Sequence, residues 1–265
     1  MFNFLIKLII LIFSNKIFNF MSDILLHLIL KVKGYKNFGN FNETGEEYFL
    51  NNFLKKKKIK NCLDIGAHNG EYSKKLLNKG FRVIAFEPMG EAFKKLEKVK
   101  KNFANIFSCH NVALSNKIEV REIFYTNKNS QLSSLNKNVK KINFLKSKMF
   151  KKFKIKTNTL DNFVKKNKKL FINGVDFIKI DTEGNDFNVI QGAKNSINKF
   201  KPKFIQIEMN YHNLFNGENL YQFHKLLKNY EIYKILPFNN GLVRVDPSRP
   251  ENNIYHLSNF VFIKK

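Results

Sequence analysis

The stretch Leu63-Asp64-Ile65-Gly66-Ala67-His68-Asn69-Gly70 decides the fold of this chain of 265 residues. The apolar run 61–65 is typical of a buried strand, and the apolar residues of 70–78 have the spacing of one helix face. The glycines allow a tight turn and a close approach of the backbone to a ligand. The stretch therefore predicts a strand, a ligand-binding loop and a helix whose first N–H groups are free to bind an anionic group.

Strands and helices alternate through most of the remaining sequence. The predicted strands cover residues 61–65, 81–86, 106–114, 120–126, 175–180, 204–207, 232–236 and 259–263, and the predicted helices cover 70–78, 90–101, 187–197 and 220–228. This alternation favours an α/β fold with a mostly parallel sheet that is covered by helices on both faces. Such sheets bind ligands at the carboxyl ends of their strands, which is where Asp64 lies.

A second motif, Phe86-Glu87-Pro88, ends the next predicted strand. Its carboxylate follows Asp64 by 23 residues and could accept hydrogen bonds from both hydroxyls of a ribose. The glycine loop lacks the G-x-G-x-x-G spacing of dinucleotide sites and contains no pyrophosphate clamp. An adenosyl ligand without a pyrophosphate points to S-adenosylmethionine, whereas either motif alone would also suit an ordinary turn between a strand and a helix.

A third motif, Ile178-Lys179-Ile180-Asp181-Thr182-Glu183-Gly184, ends a strongly apolar strand. Asp181 and Glu183 could flank a reaction centre, where burial or mutual repulsion would prepare one of them to act as a general base. The same carboxylates could instead bind the amino group of the cofactor or cap the helix that follows.

With these motifs the chain resembles the FkbM family of S-adenosylmethionine-dependent methyltransferases over roughly residues 45–235. The matching segments are 64–70, 86–88, 111–115, 133–135, 159–161 and 178–184. The resemblance implies a Rossmann-like class I methyltransferase fold and methyl transfer to a hydroxyl oxygen (EC 2.1.1.-). It also implies frequent use in decorating sugars, glycolipids or small secondary metabolites. His68 departs from the family, which usually has Asn at this position.

The resemblance also assigns roles to individual positions. The cofactor-binding residues that it implies are Asp64, Gly66, Ala67, His68, Asn69, Gly70, Glu87, Asn111 and Ala113. Among these, Glu87 would hold the ribose and 111–113 would lie near the adenine. The resemblance places Asp181 and Glu183 at the reaction centre as the catalytic residues. His212, after the predicted strand that ends near Glu208, is an alternative base. We expect no metal, although Asp181, Glu183, Glu208 and His212 could converge at adjacent strand ends to hold one.

Residues 1–44 are expected to form an amphipathic helical extension of a methyltransferase domain at 45–265. Apolar residues recur at steps of three and four through 1–33, but polar residues such as Lys7, Lys16 and Asp23 interrupt the run. The segment is therefore a poor membrane span, and no small-residue cleavage site follows it. Two interpretations remain open. The helix could lie in a membrane interface, or it could pack on the domain or on a second subunit.

The formal net charge of +26 is concentrated in lysine, because only four of the 47 basic residues are arginine. Lysine, asparagine, isoleucine and phenylalanine all have AT-rich codons, so base composition explains much of the excess. The range 123–160 nevertheless has ten lysines and no acid. Within it we expect an insertion or lid at about 127–156, which opens with serines and carries Phe144, Met149, Phe150 and Phe153 in its second half. It could face an anionic acceptor or a membrane, or be a solvated lysine-rich surface.

The resemblance implies a hydroxyl-bearing acceptor, with a saccharide or glycolipid as the leading choice and polysaccharide modification as the role. The alternatives are a small secondary metabolite, a nucleic acid, or a non-catalytic protein of the membrane surface. The sequence has no Asp/Asn-Pro-Pro-aromatic motif, so we expect no nucleic-acid partner. We expect a cytoplasmic protein, peripheral at the inner membrane face if residues 1–33 dock there. The oligomeric state is left open.

Overall fold

The computed structural model describes residues 2–14, 16–126, 129–142, 145 and 148–265. The helices are α1 (Phe2–Phe13), α2 (Lys16–Val32), α3 (Glu46–Phe49), α4 (Glu71–Asn78), α5 (Gly90–Asn102), α6 (Leu160–Lys166), α7 (Asp186–Gln191), α8 (Lys194–Phe200), α9 (Tyr211–Asn216) and α10 (Leu220–Leu226). The strands are β1 (Asn61–Ile65), β2 (Arg82–Phe86), β3 (Phe107–His110), β4 (Ala113–Leu114), β5 (Val120–Thr126), β6 (Asn129–Ser134), β7 (Phe150–Asn158), β8 (Phe177–Ile180), β9 (Phe204–Met209), β10 (Tyr230–Ile235), β11 (Leu242–Arg244) and β12 (Ser258–Lys264). A π-helix covers Leu50–Leu54, and 3₁₀-helices cover Lys137–Lys141, Lys168–Phe171 and Pro250–Asn252.

Eight of the described strands form the main sheet, in the order β3-β2-β1-β8-β9-β12-β10-β11. The five strands from β3 to β9 run parallel, whereas β12 is antiparallel to both of its neighbours. From β1 the chain proceeds outward to β2 and β3, and it returns on the other side of β1 with β8. A topological switch point therefore lies between β1 and β8, where sheets of this type bind ligands. The predicted α/β fold with a mostly parallel sheet is confirmed.

Both faces of the main sheet are covered by helices because its strands are apolar on both sides. In β1, Leu63 and Ile65 belong to one buried core and Cys62 belongs to the other, as the two-residue period of a strand requires. Helices α6, α7, α8 and α10 contribute to the first core. Helices α3, α4 and α5 and the π-helix contribute to the second.

A separate sheet in the order β4-β7-β5-β6 lies outside the main sheet. It contains most of the described part of the insertion predicted at 127–156. The 3₁₀-helix 137–141 follows β6, and its Val139 packs with Phe124, Tyr211 and Phe215, which joins this sheet to α9. The insertion therefore has a core of its own. Phe144 lies outside the described residues.

Two predicted element boundaries are wrong. The strand predicted at 106–114 is interrupted after His110, and β4 pairs with β7 instead of continuing along β2. The helix predicted at 187–197 is two helices, which meet at Gly192 and Ala193. A Cβ atom on Gly192 would lie 2.0 Å from the carbonyl oxygen of Ser115, so the chain changes direction where a close backbone contact replaces a side chain. Helix α6 was not predicted.

Helix α1 has no buried residue, and the described side chains of α2 are exposed except for Leu30 and a half-buried Phe18. The chain joins the domain just after α2. The Tyr35 hydroxyl donates to the carbonyl of Glu251, and the amide N–H of Asn37 donates to the carbonyl of Leu257. By length and composition no single described helix could cross a membrane, although α1 and 18–32 pass the same test together as a sharply bent pair.

Candidate functional site

A cavity of about 460 Å³ opens at the carboxyl ends of β1, β2, β8 and β9. We call it the main cavity. Nine of the predicted site residues line it, and these are Asp64, Gly66, Ala67, His68, Asn69, Glu87, Ala113, Asp181 and Glu183. The switch point of the sheet thus brings together residues from three motifs that are far apart in sequence. The other two predicted residues, Gly70 and Asn111, are not part of the lining.

The loop after β1 is held by backbone contacts that need glycine. Gly66 has a φ of 85°, and a Cβ atom there would lie 1.8 Å from the carbonyl oxygen of Asp181. The N–H groups of Gly66 and Ala67 both donate to the carbonyl of Phe86, at 2.9 and 3.0 Å. Gly70 precedes α4 with a φ of 80°, and its missing side chain makes room for Leu96 of α5. Gly70 therefore acts behind the cavity, in the packing of α4 on α5.

Asp64 is fully buried at the end of β1. Its Oδ2 accepts a 2.6 Å hydrogen bond from the hydroxyl of Ser73, whereas its Oδ1 has no hydrogen-bond partner among the described residues. Burial raises the pKa of the Asp64 carboxyl, and the nearby Lys179 ammonium opposes this rise. Such an orphaned acceptor in a cavity wall fits a ligand that brings a donor, such as an ammonium or a hydroxyl. The site therefore suits the amino acid part of S-adenosylmethionine.

Glu87 is buried at the end of β2, and two backbone donors fix its carboxylate. Oε2 accepts from the N–H of His68 and Oε1 accepts from the N–H of Met89, both at 2.8 Å. Burial raises the pKa of Glu87 to about 7. A carboxylate oxygen can accept two hydrogen bonds, so each oxygen keeps acceptor capacity for a ribose hydroxyl. The loop after β1 is thereby joined to the end of β2 through His68 and Glu87.

Asn111 has a different place from the one that the resemblance implies. Its side chain is exposed, and its amide donates to the carbonyls of Glu87 and Pro88 at 2.8 and 3.1 Å. Asn111 therefore holds the turn that carries Glu87. The neighbouring Val112 and Ala113 line the main cavity in its stead.

Three carboxylates converge in the wall of the main cavity, where Asp181, Glu183 and Glu208 each offer an oxygen within 4.8 Å of the others. Burial raises the pKa of Glu208 well above its usual range, and the charges of Asp181 and Glu183 raise it further. Burial also raises the pKa of Glu183. The cluster can therefore retain a proton near neutral pH, which suits a group that must accept and release one.

Glu183 has an unusual backbone for a residue with a side chain, because its φ is 50°. Its Oε2 lies 3.6 Å from Nε2 of His212, a buried residue in the first turn of α9. His212 does not line the main cavity but supports a carboxylate that does. Strained backbone of this kind is concentrated at functional sites, where the surrounding structure holds it in place.

A buried polar row that the sequence did not reveal lies on β1, β8 and β9, and its Asp64 and Lys179 line the main cavity. Asp64, Lys179 and Gln206 are neighbours across these strands. The Lys179 ammonium lies 2.8 Å from Oδ2 of Asp181, and Gln206 donates to Glu46 from the N-terminal segment at 2.7 Å. Lys179 is a charged residue within the apolar run 175–180, and this exception in the sequence could have indicated a buried polar contact. Glu46 belongs to no motif.

The sequence analysis also missed Asp186, although this residue holds the turn after β8 in place. Its Oδ1 accepts from the N–H of Thr182 at 2.8 Å, and its Oδ2 accepts from the N–H of Glu208 at 3.3 Å. Burial, together with the charge of Asp181, raises the pKa of Asp186 to about 7. Asp186 thereby connects the turn after β8 to the end of β9, and both of these carry members of the carboxylate cluster.

Comparison with known proteins adds a family. The family model described as "Methyltransferase FkbM domain" matches residues 64–233. Among solved structures, the chain is similar to the METTL16 methyltransferase domain (8% identity, 82% of this chain and 65% of that chain, TM-score 0.45). It is also similar to a SAM-dependent methyltransferase from Agrobacterium tumefaciens (7% identity, 85% of this chain and 63% of that chain, TM-score 0.46). A third similar structure is the N-methyltransferase NodS from Bradyrhizobium japonicum WM9 (12% identity, 84% of this chain and 94% of that chain, TM-score 0.43).

The structural likenesses concern the fold alone at these identities, and their TM-scores carry no argument about function. The chain spans less than two thirds of the METTL16 domain and of the Agrobacterium protein. No curated protein sequence matches it.

Proposed function

The chain belongs to the FkbM methyltransferase family, and from that premise we propose that it methylates a hydroxyl group of a saccharide or lipid-linked saccharide. It is an S-adenosylmethionine-dependent methyltransferase with the Rossmann-like α/β fold of that class. The acceptor is the part that is proposed. Its main support is the cluster of Asp181, Glu183 and Glu208 in the wall of the main cavity.

A hydroxyl acceptor needs a base close to the position of transfer, and the cluster supplies one. The cofactor, when bound, provides a methyl group that is already activated by its sulfonium. Glu183 has the features of the base, because its raised pKa brings its proton affinity nearer to the working pH. Asp181 is paired with Lys179 and is suited to orient the hydroxyl. Glu183 would take the proton of the hydroxyl as the C–O bond forms and the C–S bond of the sulfonium breaks, which would leave S-adenosylhomocysteine.

The N-terminal helices support a lipid-linked acceptor. Phe2, Leu11 and Phe20 each expose at least 70% of their surface, and such an apolar area is normally covered by a partner or a membrane. Residues 1–36 carry five lysines against one aspartate. This combination favours the interface of an anionic lipid layer as the surface that α1 and α2 contact. Cys62 and Cys109 are free thiols, which suits the cytoplasmic face of that membrane.

The cofactor part is tested by calorimetry with S-adenosylhomocysteine. We expect Asp64→Asn and Glu87→Gln each to weaken binding by about tenfold or more, since each removes a charged acceptor from the cavity wall. Glu97→Gln, an exposed carboxylate on α5, is the matched control and should bind as the wild type does.

The acceptor part is tested by transfer of a radiolabelled methyl group from S-adenosylmethionine. Lipid-linked and free saccharides, RNA and small phenols are offered in parallel. Incorporation into a saccharide hydroxyl is the expected result. Incorporation into RNA or a phenol but into no saccharide would overturn the acceptor class and leave the family unaffected.

A further inference from the structure

A second cavity, of about 560 Å³, lies beside the main cavity. Its walls come from the start of β5, the 3₁₀-helix 137–141, α7 and the end of α9. Leu135 and Asn185 line both cavities, so the two spaces meet at these residues. A molecule that occupied the second cavity could extend into the reaction centre.

Amide side chains dominate this second cavity, and the asparagines that line it are Asn136, Asn138, Asn185, Asn188 and Asn216. Asn138 donates to the carbonyl of Phe215, and Asn188 donates to the Oδ1 of Asn185. Within the described part of the chain, neither of their own Oδ1 atoms receives a hydrogen bond. An amide that offers both a donor and an acceptor matches a hydroxyl, which needs both.

Apolar rings complete the lining, because Phe124 and Phe215 also border the second cavity. Pockets that bind small ligands combine apolar walls with a few placed polar groups, and here the polar groups are mostly uncharged amides. Two basic residues, Arg121 and Lys137, and two acidic residues, Glu122 and Glu218, also line it, so the charges of the lining balance. This chemistry fits a ring with several hydroxyls.

The second cavity is physically connected to the proposed base. Gly184, the residue after Glu183, lines it, and the amide of Asn216 donates to the Gly184 carbonyl at 3.0 Å. From the other side, the hydroxyl of Ser134 donates to the carbonyl of Glu183. The insertion and α9 therefore hold the turn that carries Glu183.

We propose that the second cavity is an acceptor subsite that binds a sugar ring adjacent to the one that receives the methyl group. This inference rests on the proposed function, and it adds the requirement for an acceptor of at least two sugar residues. The insertion would then recognise the acceptor.

The test uses the full chain with S-adenosylhomocysteine and three probes, namely maltotriose, triacetylchitotriose and trigalacturonic acid, observed by saturation-transfer NMR. We expect at least one trisaccharide to receive saturation. Asn188→Phe and Asn138→Phe, which fill the cavity from two sides, should raise the dissociation constant from a saturation-transfer titration at least about tenfold, equivalent to 1.4 kcal/mol. The matched control is Asn198→Phe on the exposed face of α8, which should bind as the wild type does. Calorimetric affinity for S-adenosylhomocysteine shows that each variant is folded.

The subsite is overturned if no trisaccharide binds, or if binding survives in folded Asn188→Phe and Asn138→Phe. Methyl incorporation separates this result from the function itself. A trisaccharide that binds in the second cavity but accepts no methyl group would support the subsite and contradict the proposed reaction. Transfer to a saccharide that is unchanged in both variants would support the reaction and remove the subsite.

Discussion

Glu183 combines a left-handed backbone with a half-buried carboxylate beside an imidazole, and the role of the carboxylate should be measurable in the kinetics. We expect Glu183→Gln to lower kcat by about 10²–10⁴-fold, the usual contribution of a general base, while the affinity for S-adenosylhomocysteine changes little. Steady-state kinetics with the acceptor substrate measure kcat, and calorimetry measures the affinity for S-adenosylhomocysteine. If Asp181→Asn lowers kcat in this way and Glu183→Gln does not, Asp181 is the base.

The pH profile gives a second prediction at the scale of the residue. The base acts in its ionised form, so kcat should fall as the pH falls through the raised pKa of Glu183. His212 lowers that pKa through its hydrogen bond and charge, so His212→Gln should move the acidic limb of the profile to higher pH. A His212 variant that loses kcat equally at every pH would mean that the residue only supports the fold.

The site residues that the sequence predicted are those within short motifs, because a strand end fixes where the next few residues lie. Asp64 and Glu87 follow this rule and line the main cavity. Glu46 could not be assigned because its partner, Gln206, belongs to a distant element, β9. Asn111 directly precedes two residues that line the cavity, but its own side chain donates hydrogen bonds to the backbone of Glu87 and Pro88.

At the scale of the element, the turn after β1 depends on a missing Cβ atom. Gly66 and Gly80 have similar φ angles of 85° and 80°. An added Cβ atom would meet the backbone of Asp181 at Gly66, whereas it would meet open space at Gly80. We expect Gly66→Ala to lower the free energy of unfolding by about 3 kcal/mol or more, because the carbonyl of Asp181 must move. Gly80→Ala has open space and should cost about 1–2 kcal/mol for the left-handed backbone alone. Denaturant unfolding compares the pair, and equal losses would contradict this account.

The packing of the N-terminal segment on β10 gives a prediction of pH dependence. Lys234 is buried with its ammonium 3.4 Å from the centre of the Tyr35 ring, and burial together with Lys33 lowers its pKa to about 7. The unfolded chain binds one more proton than the folded protein between this pKa and the ordinary lysine value of about 10.4. The contribution of Lys234 to stability therefore rises with pH across that window, and the full penalty applies below it.

Thermal unfolding at about pH 6 and about pH 9 tests this sign. Lys234→Met should raise the melting temperature by several degrees at the lower pH, with a smaller gain at the higher pH. Lys228→Met, an exposed lysine just before β10, is the control and should show no such difference. An equal gain at both pH values would mean that the amine is charged in the folded protein throughout.

The order of elements was predictable because the alternation of apolar runs is a local property of the sequence. The pairing of β4 with β7 was not, since those strands are about forty residues apart and their partners are set by the insertion between them. Gly192 shows the same limit. Its helical neighbours read as one helix, and only the contact with Ser115 explains the break.

At the scale of the whole molecule, the exposed helices α1 and α2 predict binding to lipid. We expect the full chain to sediment with vesicles that contain phosphatidylglycerol and to bind about tenfold more weakly to phosphatidylcholine alone, because several lysines lie near the surface. Replacing Leu11 and Phe20 by asparagine should release the protein. Ile172→Asn changes an equally exposed apolar residue outside these helices and should not. Self-association without vesicle binding would assign the helices to a second copy of the chain.

The segment that connects the helices to the domain also forms part of the main cavity, since Phe38, Gly39, Phe41 and Glu46 line it. This has a practical consequence for anyone who shortens the protein for crystallisation. A truncation that begins at Gly34 removes the two helices, of which Leu30 belongs to the core. One that begins at the family match, Asp64, removes a wall of the cavity and all of β1 before that residue. Loss of activity in such a fragment would report damage to the cofactor pocket and would say nothing about lipid.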